Sequence, residues 1–416
     1  MLDTYIDDIN SLMVYKNLKE NKIVKLINNI LSKPDSFEEM TELVSELTEM
    51  AEKSGYGGNL FKSYVIHSML RDENTFTLYA ENKRELKGCS LYKLAQKDID
   101  AIKNLANIDL RELPDAAYLK EAIDAVMDYV PVESNNIKSL LNDDFNVDDV
   151  IDFHNKYGCG DVSVYRAFRY DDVKKKLVGI AHPDPITFDD LIGYEAQTAE
   201  LIDNTLALIN GYASNNILLV GARGTGKSSS VKALINKFFE DGLRLVEIKK
   251  EQIAILPEIL KLLRPRGRKF IIFIDDLSFD EGEIQYKYMK SLLEGSSEGK
   301  PDNVVFYATS NRRHLIQEKW SDRASGSQDA EIHTTDTLNE KLSLSDRFGI
   351  TITYPKPTPK EYINIVTGIA KSRGIDINES ELKNKAMAWE LQQKGMSGRT
   401  AKQFVNNLEW TIKGNK

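Results

Sequence analysis

Asn216-Ile217-Leu218-Leu219-Val220-Gly221-Ala222-Arg223-Gly224-Thr225-Gly226-Lys227-Ser228 reads as an apolar strand that runs straight into G-x-x-x-x-G-K-S. Glycines let a backbone curl until successive N–H groups point at one centre, and the helix that follows adds the positive end of its dipole. Such a turn is a cradle for phosphate. At this spacing Lys227 would reach the β- and γ-phosphates of a nucleoside triphosphate, and the Ser228 hydroxyl would hold Mg²⁺. The pattern carries that meaning only between a buried strand and a helix. Both flanks are present: Ile217 to Val220 is a short apolar run, and the stretch from Ser229 to Phe239 has apolar residues at helical spacing.

Downstream of residue 186, strands alternate with helical patterns. The candidate strands are 216–220, 243–248, 270–275, 303–309 and 349–353. Alternation of this kind predicts an α/β fold, here a five-stranded parallel sheet with helices on both faces, over 186–356. The last sixty residues change character to three helices, 358–373, 379–393 and 398–413, punctuated by Gly374, Gly395 and Gly398. They form a helical lid over 357–416.

Upstream, residues 1–160 read as a mostly helical domain. Tyr5, Ile6, Ile9, Leu12 and Met13 recur at helical spacing, as do Met40, Leu43, Val44 and Leu47, with further helices expected at 91–106, 115–129 and 146–157. This region has no chemical motif and no repeat of fixed period, so an accessory or partner-binding role is expected for it. Val162 to Phe168 and Leu177 to Ile180 suggest two short strands, making 161–185 a hairpin-like linker. His182-Pro183-Asp184-Pro185 then breaks regular structure.

Composition sets limits on the whole. A chain of 416 residues with 41% hydrophobic and 29% charged residues is globular and large enough for two or three domains. A net charge of −9 and a pI of about 5.4 argue against a protein that lives on nucleic acid. Cys89 and Cys159 fit no metal spacing, and the five histidines are scattered, so no zinc site is suggested. The first residues are acidic and lack a secretory layout, and no apolar run approaches a membrane span. A cytoplasmic protein is expected.

The chemistry continues at the ends of later strands. Phe270-Ile271-Ile272-Phe273-Ile274-Asp275-Asp276 is an apolar run ending in two carboxylates. Open α/β sheets bind ligands at their carboxyl edge, so Asp275 would hold Mg²⁺ and Asp276 would orient or deprotonate the attacking water. Asn303 to Asn311 is another such strand, ending in an amide that can position water near a γ-phosphate without adding charge. Arg347, just before the last strand, is a candidate arginine finger reaching a neighbouring subunit's nucleotide; the plainer alternative is a surface ion pair with Asp346 or Glu340. Arg399 opens the final helix and would touch phosphate from the lid, or be no more than part of a helix start capped by Ser397.

Taken in order, these motifs resemble an AAA+ ATPase over residues 186 to 413. The segment from Ile186 to Glu195 is similar to the one that precedes the phosphate loop in that superfamily, and the resemblance implies that Ile192 and Gly193 pack near the adenine. A closer similarity is to a bacterial ATP-binding family labelled domain of unknown function 815. It rests on Gly221 to Ser229, Asp275-Asp276-Leu277-Ser278-Phe279, Tyr307-Ala308-Thr309-Ser310-Asn311-Arg312-Arg313-His314-Leu315, and Leu342 to Gly349. The resemblance implies a nucleotide site made of Gly221, Ala222, Arg223, Gly224, Thr225, Gly226, Lys227, Ser228, Ser229 and Arg399, with metal on Ser228 and Asp275. Many superfamily members end the second acidic strand in Asp-Glu, whereas this chain has Asp275-Asp276, one methylene shorter. After the second strand, residues 249–255 lack the aromatic-apolar-glycine loop with which protein-threading members grip a polypeptide, which disfavours an unfoldase.

The expectation is therefore an ATP- and Mg²⁺-dependent hydrolase that assembles as a ring or helix of identical subunits and remodels or loads a partner held by the helical domain. An ATP-gated switch with slow hydrolysis is the second reading. A DNA-acting clamp or loader is the third, motivated by Lys261, Arg264, Arg266, Arg268 and Lys269 just before the strand that ends in Asp275.

Overall fold

The computed structural model describes residues 2–33, 36–113, 116–132, 144–279, 283–294, 299–311, 344–393 and 395–413. Two compact units divide the chain, Met1–Val164 and Tyr165–Lys416.

The first unit is helical: α1 (Leu2–Ser11), α2 (Lys22–Ser32), α3 (Phe37–Ser54), α4 (Leu60–Arg71), α5 (Thr75–Glu81), α6 (Ser90–Ala106), α7 (Lys120–Met127) and α8 (Val147–Tyr157). Its apolar stripes close on one core, with Ile27, Leu43, Phe61, Phe76, Ile99 and Val150 fully buried. Several helix starts are set by asparagine. Asn21 accepts from the Ile23 amide, and Asn74 and Asn146 each head a capping box. Inside, the buried Asp98 carboxylate accepts from the amides of Met13, Val14 and Tyr15 at 2.8, 2.6 and 3.0 Å, fixing the turn after α1.

The second unit is built on β1 (Ala167–Asp171), β2 (Lys176–Gly179), β3 (Ile217–Gly221), β4 (Leu243–Ile248), β5 (Lys269–Ile274), β6 (Val304–Ser310) and β7 (Ile350–Tyr354), in the order β2-β1-β4-β5-β6-β3-β7. Interleaved with these strands are α9 (Glu195–Ile209), α10 (Lys227–Phe238), α11 (Leu256–Leu263) and α12 (Ile284–Glu294). The sheet has seven strands and not the expected five, because β1 pairs in parallel with β4 and brings β2 in as an antiparallel edge. The start of that hairpin also differs from expectation. Gly160–Ser163 is a 3₁₀ turn, and the strand begins only at Ala167, where backbone pairing with β4 becomes available.

Alternation sorts the strand residues between the two faces. Ile217, Leu219, Leu245, Ile271, Phe273, Val305 and Tyr307 share a core with Leu201 and Leu208 of α9 and with Val231, Leu234 and Ile235 of α10. Leu218, Ile272, Ile274 and Phe306, the alternate residues, are equally buried on the opposite face. Such strands read as near-continuous apolar runs because both sides are covered. The chain ends in α13 (Pro359–Ser372), α14 (Glu379–Gln392) and α15 (Gly398–Lys413), close to the boundaries expected of the lid. Tyr362, Val366, Ala386, Ala401 and Val405 form its core.

Candidate active site

Strand register delivers the polar residues to one edge. Val220 lies opposite Ser310, Gly221 opposite Tyr354, and Ile274 opposite Ala308, so the residues that follow β3, β5 and β6 emerge side by side at the sheet's carboxyl end. β3 sits between β6 and β7, where the chain direction of strand order reverses, the position at which open α/β sheets form a crevice. At Gly221 a Cβ would fall 2.1 Å from the Tyr354 carbonyl oxygen, so only glycine lets β3 leave the sheet this close to β7.

A cleft of about 720 Å³ opens there, lined by Arg223 to Ser229 of the loop, by Asp275, Asp276, Thr309 and Asn311, and on its far wall by Arg399 and Lys402. The Lys227 ammonium donates to the carbonyls of Gly221 and Ala222, both at 2.8 Å, and to Asn311 Oδ1 at 3.1 Å. Its three protons are thereby used. Burial holds the Lys227 ammonium below its ordinary pKa; Asp275 and Asp276 oppose that shift, and the cations Arg223 and Arg399 reinforce it. Arg223, Lys227, Arg373, Arg399 and Lys402 line the cleft together with Asp184, Asp189, Asp190, Asp275 and Asp276, and around Lys227 the nearby Arg223 and Arg399 add repulsion that a polyanion would relieve.

The acidic side is organised by hydroxyls. Ser228 Oγ and Thr309 Oγ1 each donate to Asp275 Oδ1 at 2.5 Å. Asp276 adopts φ +53°, a left-handed conformation uncommon outside glycine, asparagine and aspartate, and its carboxylate accepts from Asn311 Nδ2. Asn311 is thus bonded on one side to Lys227 and on the other to Asp276. Ser228 and Asp275 supply hard oxygen donors, held together at the mouth of the phosphate loop, which is the donor type that suits Mg²⁺.

The lining away from the loop is mixed: Pro185, Ile186, Leu191, Ile192, Ile365 and Ile369 give it apolar surface beside Asp184, Asp189, Asp190 and Arg373. Asn236 of α10 fixes the incoming strand of chain by donating to the carbonyls of Asp184 and Ile186 at 2.9 and 2.7 Å. Ile192 packs into the lid core, and a Cβ on Gly368 would lie 2.2 Å from its Cδ1. The lid also rests on the phosphate loop itself. The Arg399 amide donates to the Gly224 carbonyl at 3.2 Å, and a side chain at Gly224, where φ is +79°, would meet Ser397 Oγ at 2.9 Å. Ser397 caps α15 by accepting from the Thr400 amide at 3.1 Å, so Arg399 opens a capped helix and faces the cleft as well.

Of the residues singled out in the sequence, Arg223 to Ser229, Asp275, Asp276, Asn311, Ile192 and Arg399 converge on the cleft. Gly221 and Ala222 stand behind it, offering the carbonyls that hold Lys227. Gly193 turns the chain beside it, with φ +87° and its amide on Glu195 Oε1 at 3.0 Å. Arg347 is half-buried and does not line the cleft of its own chain. The Arg312-Arg313-His314-Leu315 and Leu342-Ser343 stretches, and Glu340, lie outside the described residues. Within the basic cluster, Arg266 and Arg268 are each only 6% exposed, so the five cations do not form one solvated face. Sequence reasoning missed Thr309, Ile365 and Ile369. Thr309 opens the polar end Thr309-Ser310-Asn311 of its strand, where its hydroxyl was the one available signal.

Among the described residues there is no group of three or more His, Cys, Asp and Glu fit to hold a metal, and no helix long and apolar enough to cross a membrane. Residues 163–411 match the profile of a family described as a protein of unknown function, DUF815. No curated protein was found to match. Among solved structures, an alanine-to-serine variant of RuvB from Thermotoga maritima is similar at 18% identity and a TM-score of 0.38, over 55% of this chain and 66% of that one. The T. maritima RuvB Holliday junction branch migration motor is similar at 16% identity and a TM-score of 0.34, over 54% of this chain and 72% of that one. The chain belongs to the DUF815 family, whose profile spans more than half of its length.

Proposed function

We propose that this member of the DUF815 family binds ATP with Mg²⁺ in the cleft above β3 and hydrolyses it, with Arg347 of a second copy completing the site. The observation that carries the reading is the chain of contacts from Lys227 through Asn311 to Asp276, with Asp275 bonded to Ser228 beside it. Nothing in the fold of a strand or helix requires these five residues to meet. A triphosphate does.

In this reading the loop amides and Lys227 hold the phosphates, exchanging the Gly221 and Ala222 carbonyls for phosphoryl oxygens. Ser228 and Asp275 would hold Mg²⁺, which when bound offsets the charge on the β- and γ-phosphates. Asn311 orients a water toward the γ-phosphorus, and Asp276 takes its proton as the P–O bond to ADP breaks. Ile186, Ile192, Ile365 and Ile369 sandwich the base, so lid and core both touch the nucleotide and its loss is felt by both. Arg347, absent from its own cleft, serves the nucleotide of a neighbour and stabilises the charge that develops during transfer. The helical unit would then hold the client on which the cycle acts. With two of its five cations buried, the segment before β5 gives little support to a duplex as that client.

A slower, gated cycle is the second reading, favoured by one detail. The Asn311 amide is already engaged by Lys227 and by one oxygen of Asp276, and that pairing must rearrange before Asn311 can orient a water.

Mixing experiments test the shared site. Arg347→Ala and Asp276→Asn proteins should each lose turnover, by about a thousandfold for the arginine. Mixed together they should regain part of it, because one kind of interface then carries a native Arg347 and a native Asp276. No recovery at any mixing ratio, with assembly intact, contradicts action between copies.

A further inference from the structure

From the bonds made by a single hydroxyl, we infer that Thr309 is a positioning residue for both carboxylates of the site, a role that rests on the ATPase reading above. Thr309 lies on β6, two residues before Asn311, and is 1% exposed. Its Oγ1 donates to Asp275 Oδ1 at 2.5 Å and accepts from the Asp276 amide at 2.9 Å. Its carbonyl accepts from the Leu277 amide at 2.7 Å. One residue therefore fixes three consecutive positions of the neighbouring strand end.

The strand itself does not need a hydroxyl here. Residues 304–308 are Val, Val, Phe, Tyr and Ala, all buried, and valine would fill the same volume. A buried hydroxyl without partners is costly, whereas this one is used both as donor and as acceptor, which leaves its proton a single direction. That direction decides the geometry on either side. The proton on Asp275 Oδ1 joins the one from Ser228, and among the described residues both hydroxyl bonds fall on that same oxygen. The other oxygen is thereby left to the Mg²⁺ that the ATPase reading assigns to Ser228 and Asp275. On the second side, the bond to the Asp276 amide holds that residue in its left-handed conformation, φ +53°. Such a conformation persists only where its surroundings over-determine it. Released from Thr309, Asp276 would relax toward the ordinary extended backbone, and its carboxylate would leave Asn311 and the place of the attacking water. Thr309 lines the cleft, and its hydroxyl is already committed to Asp275 and the Asp276 amide, so it acts through those two residues.

The test is Thr309→Val in the full chain, compared with Thr309→Ser and Thr309→Ala, each checked for native melting. Two readouts separate positioning from mere support of the fold. The first is the Mg²⁺ concentration that half-saturates the affinity for a fluorescent ATP analogue; the second is kcat against KM for ATP. For Thr309→Val the half-saturating Mg²⁺ should rise and kcat should fall, each by about 10–100-fold, the usual effect of losing a partner that orients a metal ligand. KM and metal-free affinity should stay near wild type. Thr309→Ser should recover most of the loss, and Thr309→Ala should match Thr309→Val even if the latter folds poorly. Wild-type Mg²⁺ dependence and wild-type kcat in the variants lacking the hydroxyl would overturn the inference. A wild-type chain that binds the analogue but never turns over would contradict the hydrolase reading, while the Mg²⁺ titration would still decide on Thr309. A wild-type chain that binds no nucleotide would overturn both.

Discussion

The helical unit and the sheet unit both tie polar groups together by hydrogen bonds, but the first seals them in its core while the second leaves Asp275 and Asp276 open to solvent. In the helical unit, Asp98 spends one oxygen on three backbone amides at the end of α1, and Cys159 donates both its amide and its thiol to the buried Glu81. Those polar groups look inward, toward the chain's own loose ends. At the carboxyl edge of the sheet, Lys227, Asp275, Asp276 and Asn311 bond to one another around an open cleft. There the satisfied network is a resting arrangement, which a triphosphate would take apart. Polarity sealed in one unit stabilises the fold, and polarity open to solvent in the other is, in the ATPase reading proposed above, held ready for a ligand.

If that contrast is right, damage to the helical core should be a matter of stability alone. Phe61→Ala removes a fully buried ring and should cost about 3–5 kcal/mol, read as a lower denaturation midpoint for the helical signal. Affinity for an ATP analogue should stay near wild type. A parallel loss of nucleotide binding would break the comparison.

A smaller effect sharpens it. Burial, with the nearby Arg71 guanidinium adding to it, pushes His67 from 6.5 down to about 4. The folded protein then holds His67 neutral where the unfolded chain would protonate it. The sign follows from linkage: the unfolded state binds more protons between the two values, so this contribution is complete above pH 6.5 and is lost as pH falls toward 4. Between those limits it amounts to about 3 kcal/mol. Denaturation of wild type and His67→Gln from pH 7.5 to 4 should therefore give curves that converge on acidification, with nucleotide affinity showing no matching difference between the two proteins. Parallel stability curves would remove His67 from the account.

How far the sequence revealed this molecule depended on what each residue had to do. The five strands of the core were readable because burial on both faces made each a continuous apolar run, and the lid was readable because glycines punctuate its three helices. Asp275, Asp276 and Asn311 stood out as polar ends on such runs. Thr309 did not, since in the polar end Thr309-Ser310-Asn311 nothing marks one hydroxyl over the other, and only the register of β5 against β6 brings Thr309 beside Asp275. β1 and β2 were recognised as a short pair, while their membership of the sheet depends on the pairing of Ala167 to Arg169 with β4, a contact between residues nearly eighty positions apart that no local pattern encodes. In the helical unit α2, α4 and α5 went unread. Length accounts only for α5, of 7 residues; α2 and α4, of 11 and 12, are as long as α8, which also starts at an asparagine and was read.

The central claim is that the loop from Gly221 to Ser228 and the strand ends beside it form one ATP-hydrolysing site. It is tested most directly by measuring ATP binding and phosphate release side by side for wild type, Lys227→Ala and Asp276→Asn. The account predicts that Lys227→Ala loses binding, while Asp276→Asn binds ATP and releases no phosphate. Wild-type phosphate release from both variants would contradict it.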